Sequence, residues 1–338
     1  MSTTHSHRGY TLTHIADTHT QLASFAPYVP AINSHGHVAF QARAKDGHTS
    51  VLVYRDGEQH VAIAHKAQQI YSHPTLSDDG LVHCYATLPT GKQALLSSTG
   101  ETPTTLTPAL TTIGPMGPTA NIHDEIAFRA TNQADIEGHY LHTQNGIKCV
   151  ADTSDIFASF GGLPVVNDTH HVLFQAEKKD GTKGLYLWKD GTITSLAESG
   201  GRFSWFGLFP MISKDGYIVT SAQTTSGAYN LYRFDTSEPI PLLPRDHPFE
   251  SVRGGLIAEE DQIVYFATPK GGTLGMYVER SSQPSPIIAF GDELYGSTIT
   301  GFALNPVSIN QYGQCAFRVQ LANQHEYIFR TEGLFEQE

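Results

Sequence analysis

The sequence predicts an all-β fold: a seven-bladed β-propeller with four-stranded antiparallel blades. Three observations predict it. An eight-residue motif recurs seven times along the 338 residues. Each copy is followed by short apolar runs that are separated by turn signals. The composition combines 31 Gly with 15 Tyr and 17 Phe, which suits strands and tight turns better than helices.

The motif is clearest in two copies, at residues 33–40 and 310–317, which share the pattern Asn-x-x-Gly-x-apolar-Ala-Phe. Five weaker copies lie between them, at 77–84, 121–128, 167–174, 213–220 and 258–265. The first residues of successive copies are 44, 44, 46, 46, 45 and 52 positions apart. These copies define repeats one to seven in chain order. A period of about 40–50 residues is the length of one propeller blade.

Each repeat is predicted to form four short strands. The first ends just before the motif, and the second is the Gly-x-Val-Ala-Phe part of the motif itself. The third is an aromatic run such as residues 184–188, and the fourth is an apolar run such as residues 193–197. Turns such as Asp56-Gly57 and Asp190-Gly191 separate the third strand from the fourth. They are strong hairpin signals, because both central residues of a type I′ turn need a positive φ.

The two ends of the chain are predicted to share a blade. Repeat seven has a third strand at residues 326–329, but little chain follows it, whereas residues 10–17 read as a fourth strand without a blade. We therefore expect the ring to be closed by the N-terminal strand in the last blade, which removes an exposed sheet edge. The alternative is an open solenoid, which needs polar caps at its ends. The predicted organisation is a flexible N-terminus at residues 1–9 and a single domain at residues 10–338.

The motif copies at 33–40 and 310–317 resemble the bacterial tandem-repeat proteins named for their NxxGxVAF motif. The resemblance covers nearly the whole chain. It implies a propeller-like array of repeats, and it carries over no catalytic residue.

Charge and motif content exclude several classes of protein. The formal net charge is −12, and no lysine and arginine cluster is longer than Lys178-Lys179. Nucleic acid and anionic membrane surfaces are therefore not expected as partners. The 18 histidines show no metal-ligand spacing, and no phosphate-binding or dinucleotide-binding loop occurs. No metal and no cofactor are expected.

The three cysteines, Cys84, Cys149 and Cys315, have no metal-like or disulfide-like spacing, and each is predicted to be a small buried apolar residue. The N-terminus has no apolar segment of the kind found in secretory signals, and no run approaches the roughly 18 apolar residues of a membrane span. We therefore expect a cytoplasmic protein.

A ligand site is predicted at the mouth, the face where the crossovers between blades and the hairpins between second and third strands meet. Aromatic and charged residues concentrate in the predicted crossovers, and convergent loops there can form a pocket. The candidate ligand-binding residues are Tyr28, Tyr71, His73, Phe160, Trp205, Phe206, Arg253 and Tyr295. The candidate catalytic residues are Asp246, His247, Glu250, Asp292 and Glu293, because a histidine beside carboxylates, or paired carboxylates, can transfer protons near neutral pH. For both acidic groups the alternative is a solvated loop, and for Trp205 it is packing between adjacent blades.

Two functions follow from this pattern. The first is a propeller that binds a small organic ligand at the mouth, with or without hydrolase, lyase or cyclase chemistry. The alternative is a protein-interaction scaffold without catalysis, which predicts a contiguous exposed apolar patch. The sequence leaves the ligand, the reaction and the oligomeric state open.

Overall fold

Seven antiparallel sheets, one for each repeat, form the described part of the chain. The computed structural model describes residues 3–20, 22–64, 69–100, 103–107, 110–259, 262–280 and 283–335. Within these ranges the regular elements are strands and one short 3₁₀ helix at Pro306–Ser308. No helix in the described ranges has the length and apolarity to cross a membrane.

The strands are short, and most of them are separated by tight turns. From the N-terminus to the end of repeat three they are β1 (Thr4–His7), β2 (Tyr10–Asp17), β3 (Leu22–Phe25), β4 (Ala31–Ile32), β5 (Val38–Ala44), β6 (Thr49–Arg55), β7 (Glu58–Ala64), β8 (Gln69–Ile70), β9 (Thr75–Leu76), β10 (Val82–Thr87), β11 (Gln93–Ser98), β12 (Thr104–Thr105), β13 (Thr112–Ile113), β14 (Thr119–Ala120), β15 (Ile126–Thr131), β16 (Glu137–Thr143) and β17 (Gly146–Asp152). From repeat four onward they are β18 (Phe157–Val166), β19 (Val172–Lys178), β20 (Lys183–Lys189), β21 (Thr192–Glu198), β22 (Phe203–Phe206), β23 (Met211–Ile212), β24 (Ile218–Thr224), β25 (Tyr229–Arg233), β26 (Ile240–Pro241), β27 (Phe249–Ile257), β28 (Ile263–Pro269), β29 (Gly275–Arg280), β30 (Gln283–Ala289), β31 (Glu293–Leu294), β32 (Ser297–Ala303), β33 (Ala316–Leu321) and β34 (Glu326–Glu332).

The chain divides into two compact units. The first comprises residues 1–118 and 287–338. It holds the sheet β3-β5-β6-β7 with β4 on β5, and the sheet β8-β10-β11-β12 with β9 on β10. Its third sheet has six strands, in the order β1-β2-β34-β33-β32-β31.

The N-terminal strand lies in the last sheet, as the sequence predicts. Strand β2 pairs antiparallel with β34, with His14 opposite Phe329 and Asp17 opposite Tyr327. The structure adds an element that the sequence did not predict, because residues 4–7 of the expected flexible N-terminus form β1, which pairs with β2. Strand β1 is therefore the outer edge of this six-stranded sheet.

The second unit comprises residues 119–286 and holds the sheets of repeats three to six. In repeat three, β14 and β16 pair with β15, and β17 pairs with β16. The next two sheets are β18-β19-β20-β21 and β22-β24-β25-β26, with β23 on β24. The last is β27-β28-β29-β30. With seven sheets of this strand order, the fold is the predicted all-β, seven-bladed propeller.

The last residue of the motif is buried in every repeat. Phe40, Phe128, Phe174 and Phe317 are all buried to 1% exposure or less. Burying one such side chain contributes roughly 1.5–3 kcal/mol. The position is Phe in four of the seven copies, and Thr220 in repeat five is buried as fully, because this part of the second strand is covered.

The first residue of the motif joins neighbouring sheets. In the first unit, Asn310 Nδ2 donates to the carbonyl of Asn33 at 2.9 Å, and Asn33 Nδ2 donates to the carbonyl of Ser77 at 3.0 Å. In the second unit, Asn121 donates in the same way to Asn167, and Asn167 to Ser213. The asparagine that begins the motif therefore joins neighbouring sheets by a side-chain hydrogen bond, in addition to its place in the turn of its own repeat.

The prediction that all three cysteines are buried is wrong for one of them. Cys84 and Cys315 are buried, whereas Cys149 is exposed on β17, with its thiol 3.6 Å from Asp152 Oδ2. The apolar run around Cys149 suggested burial, but β17 is the edge strand of its sheet, so part of it faces solvent.

Candidate functional site

A cavity of about 210 Å³ lies between the sheets of repeats four and five, inside the second unit. One wall comes from β18 and the start of the β19-β20 hairpin, and the facing wall comes from β22 and the residues that follow it. Its lining residues are Ser159, Phe160, Gly161, Gln175, Ala176, Glu177, Lys183, Gly184, Trp205, Phe206 and Leu208.

Two glycines bend strand β18 and let the neighbouring chain approach. The register of β18 on β19 shifts between Gly161 and Val165. Gly162 has φ +58°, and a Cβ there would lie 2.0 Å from the carbonyl oxygen of Leu208. A side chain at this position is excluded by both the backbone conformation and the contact. Glycine therefore brings the segment after β22 close to β18, and this contact lies beside the cavity.

The cavity has a buried floor and an exposed rim. Phe160 and Phe206 are 5% and 6% exposed, and Ala176 is also buried. Trp205 and Leu208 are 37% and 55% exposed. The gradient from buried to exposed side chains shows that the cavity opens to solvent past the indole of Trp205.

Polar groups stand on one wall of the cavity. Gln175 and Glu177 are two positions apart on β19, so their side chains point to the same face of the sheet. The amide of Gln175 donates from Nε2 to the carbonyl of Gly207, which fixes its orientation. Its Oε1 then lies against Gly161, where a Cβ would be only 3.0 Å away. The absence of a side chain at Gly161 leaves room for the Gln175 amide, and both residues line the cavity.

A carboxylate and an ammonium group face each other at the rim. Glu177 is opposite Lys183 in the register of β19 and β20, and Lys183 Nζ lies 3.9 Å from Glu177 Oε2. Both side chains are well exposed, so the pair contributes little to stability, about 0–1 kcal/mol. The pair is free to reorganise around a ligand. The cavity thus offers an aromatic surface, an amide oxygen and one charge of each sign.

Three of the predicted ligand-binding residues meet in this cavity: Phe160, Trp205 and Phe206. The sequence places them in crossovers, and this placement is wrong. Phe160 lies in β18, and Trp205 and Phe206 lie in β22, so all three belong to the first strands of their sheets. These first strands begin earlier than predicted, because glycines and register shifts interrupt the alternation that marks a strand in sequence.

Two further predicted residues, His73 and Tyr71, lie in the first unit and are held by protein contacts. His73 is fully buried, with Nε2 3.1 Å from the carbonyl of Pro118 and Nδ1 3.3 Å from Asn305 Nδ2. Burial lowers the pKa of His73 to about 4, so its ring is neutral near pH 7. The Tyr71 hydroxyl donates to the carbonyl of Ile113 at 2.9 Å. Burial raises the pKa of Tyr71, as do nearby Cys84 and Tyr28.

The predicted acidic pair of repeat seven also lies in the first unit. Asp292 Oδ2 accepts from Arg8 Nε at 2.7 Å and lies 3.0 Å from His7 Nε2. Burial alone would raise the pKa of Asp292, but hydrogen bonds from Arg8 and His7 lower it to about 2. Glu293, on β31, is exposed. Asp292 therefore anchors the β1-β2 turn and stays ionised at neutral pH, which is the wrong state for a general acid.

Tyr295 forms an aromatic contact rather than a cavity wall in the first unit. Its φ is +49°, in the turn between β31 and β32. Its ring lies 5.3 Å from that of His5 and 4.9 Å from that of Tyr327. The tyrosine is half exposed and packs against side chains of β1 and β34 in the same sheet.

The predicted titratable group of repeat six does not form a histidine and carboxylate pair. His247 Nε2 lies 2.9 Å from the carbonyl of Tyr229, and Nδ1 accepts from the amide of Phe249 at 3.3 Å. Both ring nitrogens are therefore engaged by backbone. Asp246 is exposed, while Glu250 and Arg253 are exposed on β27, the first strand of its sheet rather than a crossover.

Gln175, Glu177 and Lys183 are among the cavity residues that the sequence did not single out. Gln175 and Glu177 lie in β19 and Lys183 lies in β20, where the alternation of apolar and polar residues identifies them only as polar strand positions. Their approach to Trp205 depends on the contact between neighbouring sheets, which no local pattern encodes. Among the described residues, no group of three or more His, Cys, Asp or Glu side chains is placed to hold a metal ion.

Comparisons with known proteins identify the fold. No protein-family model and no curated protein matches the chain. The β-propeller domain of the Trilobed protease from Pyrococcus furiosus is 13% identical, with a TM-score of 0.62, over 92% of this chain and 96% of that one. An oligogalacturonate lyase in complex with manganese is 10% identical, with a TM-score of 0.63, over 99% and 98%. These likenesses establish the propeller fold, and the NxxGxVAF resemblance stays a prediction.

A third solved structure has the same fold within a longer chain. The Pyrococcus horikoshii acylaminoacyl peptidase is 12% identical, with a TM-score of 0.59, over 91% of this chain. The present chain spans only 52% of that peptidase.

Proposed function

We propose that this propeller binds a small organic ligand in the cavity between repeats four and five. The observation that carries the proposal is the convergence of three predicted ligand-binding aromatics, Phe160, Trp205 and Phe206, with Gln175 and Glu177 around one opening. An apolar cavity with a few oriented polar groups is the usual form of a small-molecule site. The site stands between neighbouring blades, at the end of the sheet that carries the β19-β20 hairpin.

The cavity is small, and its size restricts the ligand. Sites for drug-sized molecules usually have volumes of about 300–1,000 Å³. At about 210 Å³ the cavity lies below that range. The ligand is therefore a single ring or a comparably small group, or the end of a longer molecule whose remainder stays in solvent.

An enzymatic form of this proposal is hydrolase or lyase chemistry. Propellers of this fold occur in a protease, an acylaminoacyl peptidase and an oligogalacturonate lyase, each of low sequence identity. In this chain the acidic group among the lining residues is Glu177, and Lys183 stands opposite it. Glu177 rather than Asp292 or His247 is the residue positioned to exchange a proton with a bound ligand.

The scaffold alternative is supported less well. The exposed large apolar residues of the described chain come from repeats one, three, four, five and seven, and the scaffold function would need them to form one contiguous patch. Trp205 and Leu208 adjoin each other, and they belong to the cavity rim.

A thermal-shift screen of small metabolites tests the proposal. A ligand at 100 times its dissociation constant stabilises the folded state by about 2.7 kcal/mol, which raises the melting temperature measurably. We expect at least one compound to do so for the wild-type protein and not for Trp205→Ala. Ile240→Ala is the matched control, because Ile240 is exposed on the same sheet and lies outside the cavity. The proposal fails if no compound shifts the wild type, or if every shift survives in Trp205→Ala.

A further inference from the structure

We infer that the ligand of this cavity is a neutral pyranose, as a free monosaccharide or as the terminal unit of an oligosaccharide. The inference rests on the proposed function and names the chemical class of the ligand. It follows from three properties of the lining residues: a flat aromatic surface beside an open rim, polar groups on the opposite wall, and charges that are already paired.

The aromatic surface suits the face of a sugar ring. Trp205 is 37% exposed although its neighbours Phe203 and Phe206 in β22 are buried, so the indole is held at the rim by a packed strand. The Tyr229 ring meets it in a T-shaped contact at 6.1 Å, which supports one orientation of the indole. A pyranose has an apolar face of C–H groups and a polar edge of hydroxyls. The apolar face matches the indole.

The opposite wall supplies partners for the hydroxyl edge. Gln175 lines the cavity and its Nε2 is engaged by the carbonyl of Gly207, so Oε1 is the acceptor that this amide can offer. Glu177 adds a carboxylate acceptor nearer the rim, and Lys183 adds a donor. Planar amide and carboxylate groups can each accept from hydroxyls, and bonds to the charged group are the stronger ones.

The charges of the site select against ionic ligands. Glu177 and Lys183 lie 3.9 Å apart and neutralise each other, so a ligand with one charge would leave one of them unpaired. The protein as a whole carries a formal charge of −12, which disfavours the approach of anions. The exposed pair itself contributes little to stability, so it discriminates weakly, but a neutral hydroxylated ring can bond to both groups without separating them.

Calorimetric titration with a defined panel tests the class of ligand. The neutral probes are the methyl pyranosides of glucose, galactose, mannose and xylose. The comparison probes are glucuronate, galacturonate, phenylalanine and benzoate. We expect at least one neutral pyranoside to bind, and its affinity to exceed that of the matching uronate at least tenfold.

Fluorescence locates the binding. The protein has two tryptophans, and Trp188 is buried while Trp205 stands at the cavity. The variant Trp188→Phe therefore leaves Trp205 as the sole tryptophan reporter. We expect the pyranoside to change the emission of Trp188→Phe with the dissociation constant that calorimetry gives for the same variant.

Variants connect the affinity to the lining residues. Trp205→Ala should weaken pyranoside binding at least tenfold, and Glu177→Gln should weaken it severalfold because the acceptor remains but loses its charge. Ile240→Ala should leave the affinity within twofold of the wild type. Near-ultraviolet and far-ultraviolet circular dichroism of each variant shows whether it is folded, and Trp205→Phe, which keeps an aromatic ring, should retain part of the affinity.

The possible results separate this inference from the proposed function. If benzoate, phenylalanine or a uronate binds in a way that depends on Trp205 and the neutral pyranosides do not, the pyranose assignment is overturned and the ligand cavity stands. If no probe binds and the metabolite screen also finds no ligand that depends on Trp205, both are overturned. If pyranosides bind equally well to Trp205→Ala, the sugar site lies elsewhere and the assignment to this cavity is wrong.

Discussion

Asn33 donates a hydrogen bond of 3.0 Å from Nδ2 to the carbonyl of Ser77, the residue at the same position of the next repeat. The same asparagine accepts at Oδ1 from the amide of His37, which closes the turn of its own repeat. One side chain thus sets the turn and joins two sheets. Glycine follows it in the motif because Gly36 has φ +73°, a conformation that other residues rarely adopt.

Loss of one of these asparagines should destabilise the protein measurably. Asn167 is 4% exposed, its Nδ2 donates to Ser213, and its Oδ1 accepts from the amide of His171. Asn167→Ala leaves a buried carbonyl without its partner, so we expect a loss of about 1–3 kcal/mol in the free energy of unfolding in urea. The exposed Asn323 accepts only within its own turn, from the amide of His325. If Asn323→Ala costs as much as Asn167→Ala, the connection between sheets is not the source of the stability.

A buried histidine should make the protein less stable in acid. His139 is fully buried between Phe160 and Phe174, and within the described residues neither of its ring nitrogens has a hydrogen-bond partner. Burial lowers its pKa to about 3, and the charge of Arg129 acts in the same direction. The unfolded chain takes up a proton near pH 6.5, whereas the folded chain does not. Stability is therefore complete above about pH 6.5 and falls as the pH decreases, by up to about 1.4 kcal/mol per pH unit.

The variant His139→Leu isolates this effect. It removes two unpaired polar atoms from an apolar site, so at pH 7 we expect a change within about 1 kcal/mol of zero. Between pH 6.5 and 4.5 its unfolding free energy should fall less steeply than that of the wild type, and the remaining slope includes His73, whose pKa is also lowered by burial. An unchanged slope would show that His139 is protonated in the folded state. His48→Ala, at an exposed ring, provides the control.

The contact between Arg8 and Asp292 should hold β1 in place. Because hydrogen bonds from Arg8 and His7 outweigh burial and lower the pKa of Asp292 to about 2, this contact is complete above about pH 4 and is lost as the pH falls toward 2. Asp292→Asn should cost about 1 kcal/mol and should speed amide hydrogen exchange at residues 4–7. Exchange at residues 10–17 should change less, because β2 is paired on both sides. Equal acceleration of both strands would contradict the proposed anchoring.

The cysteines should differ in access but share low reactivity. Cys149 is exposed, whereas Cys84 and Cys315 are buried, so an aromatic disulfide reagent should modify one thiol in the native protein and three in the unfolded protein. Although Cys149 is exposed as a residue, partial desolvation of its thiol, with Asp152 nearby, raises its pKa to about 11. Its thiolate fraction at pH 7 is then about a hundredfold below that of an ordinary cysteine, so modification should be slow. Asp152→Asn should speed it, and Asp155→Asn should not.

The repeat pattern predicts the fold because its signals are local. In the clearest copies, the asparagine and glycine that form the turn and the buried aromatic of the second strand lie within eight residues of one another, so the pattern can be recognised in the sequence. The N-terminal strand is recognisable for the same reason, since residues 10–17 keep the alternation of a fourth strand. Strand β1 is harder to predict, because four alternating Thr, His and Ser residues carry no apolar pattern.

The cavity is only partly predictable, because it depends on two sheets at once. Trp205 and Phe160 attract attention as aromatics beside glycines, but Gln175 and Glu177 resemble any polar residues of a strand. The role of His247 is equally hidden, since its partners are the backbone of Tyr229 and Phe249 rather than side chains. Hydrogen bonds to backbone leave no residue type in the sequence that would reveal them.

The hydrogen bonds that the motif asparagines donate to neighbouring sheets form two series, and each series ends at a serine. In the first unit it runs from Asn310 through Asn33 to Ser77, and the hydroxyl of Ser77 accepts from Leu81 in its own turn. In the second unit it runs from Asn121 through Asn167 to Ser213, whose hydroxyl accepts from Tyr217. Sheets joined in series share the cost of opening, so repeats seven, one and two should open as one cooperative block in native-state exchange, and repeats three, four and five as another. Ser77 and Ser213 would then lie at the boundaries of these cooperatively opening blocks.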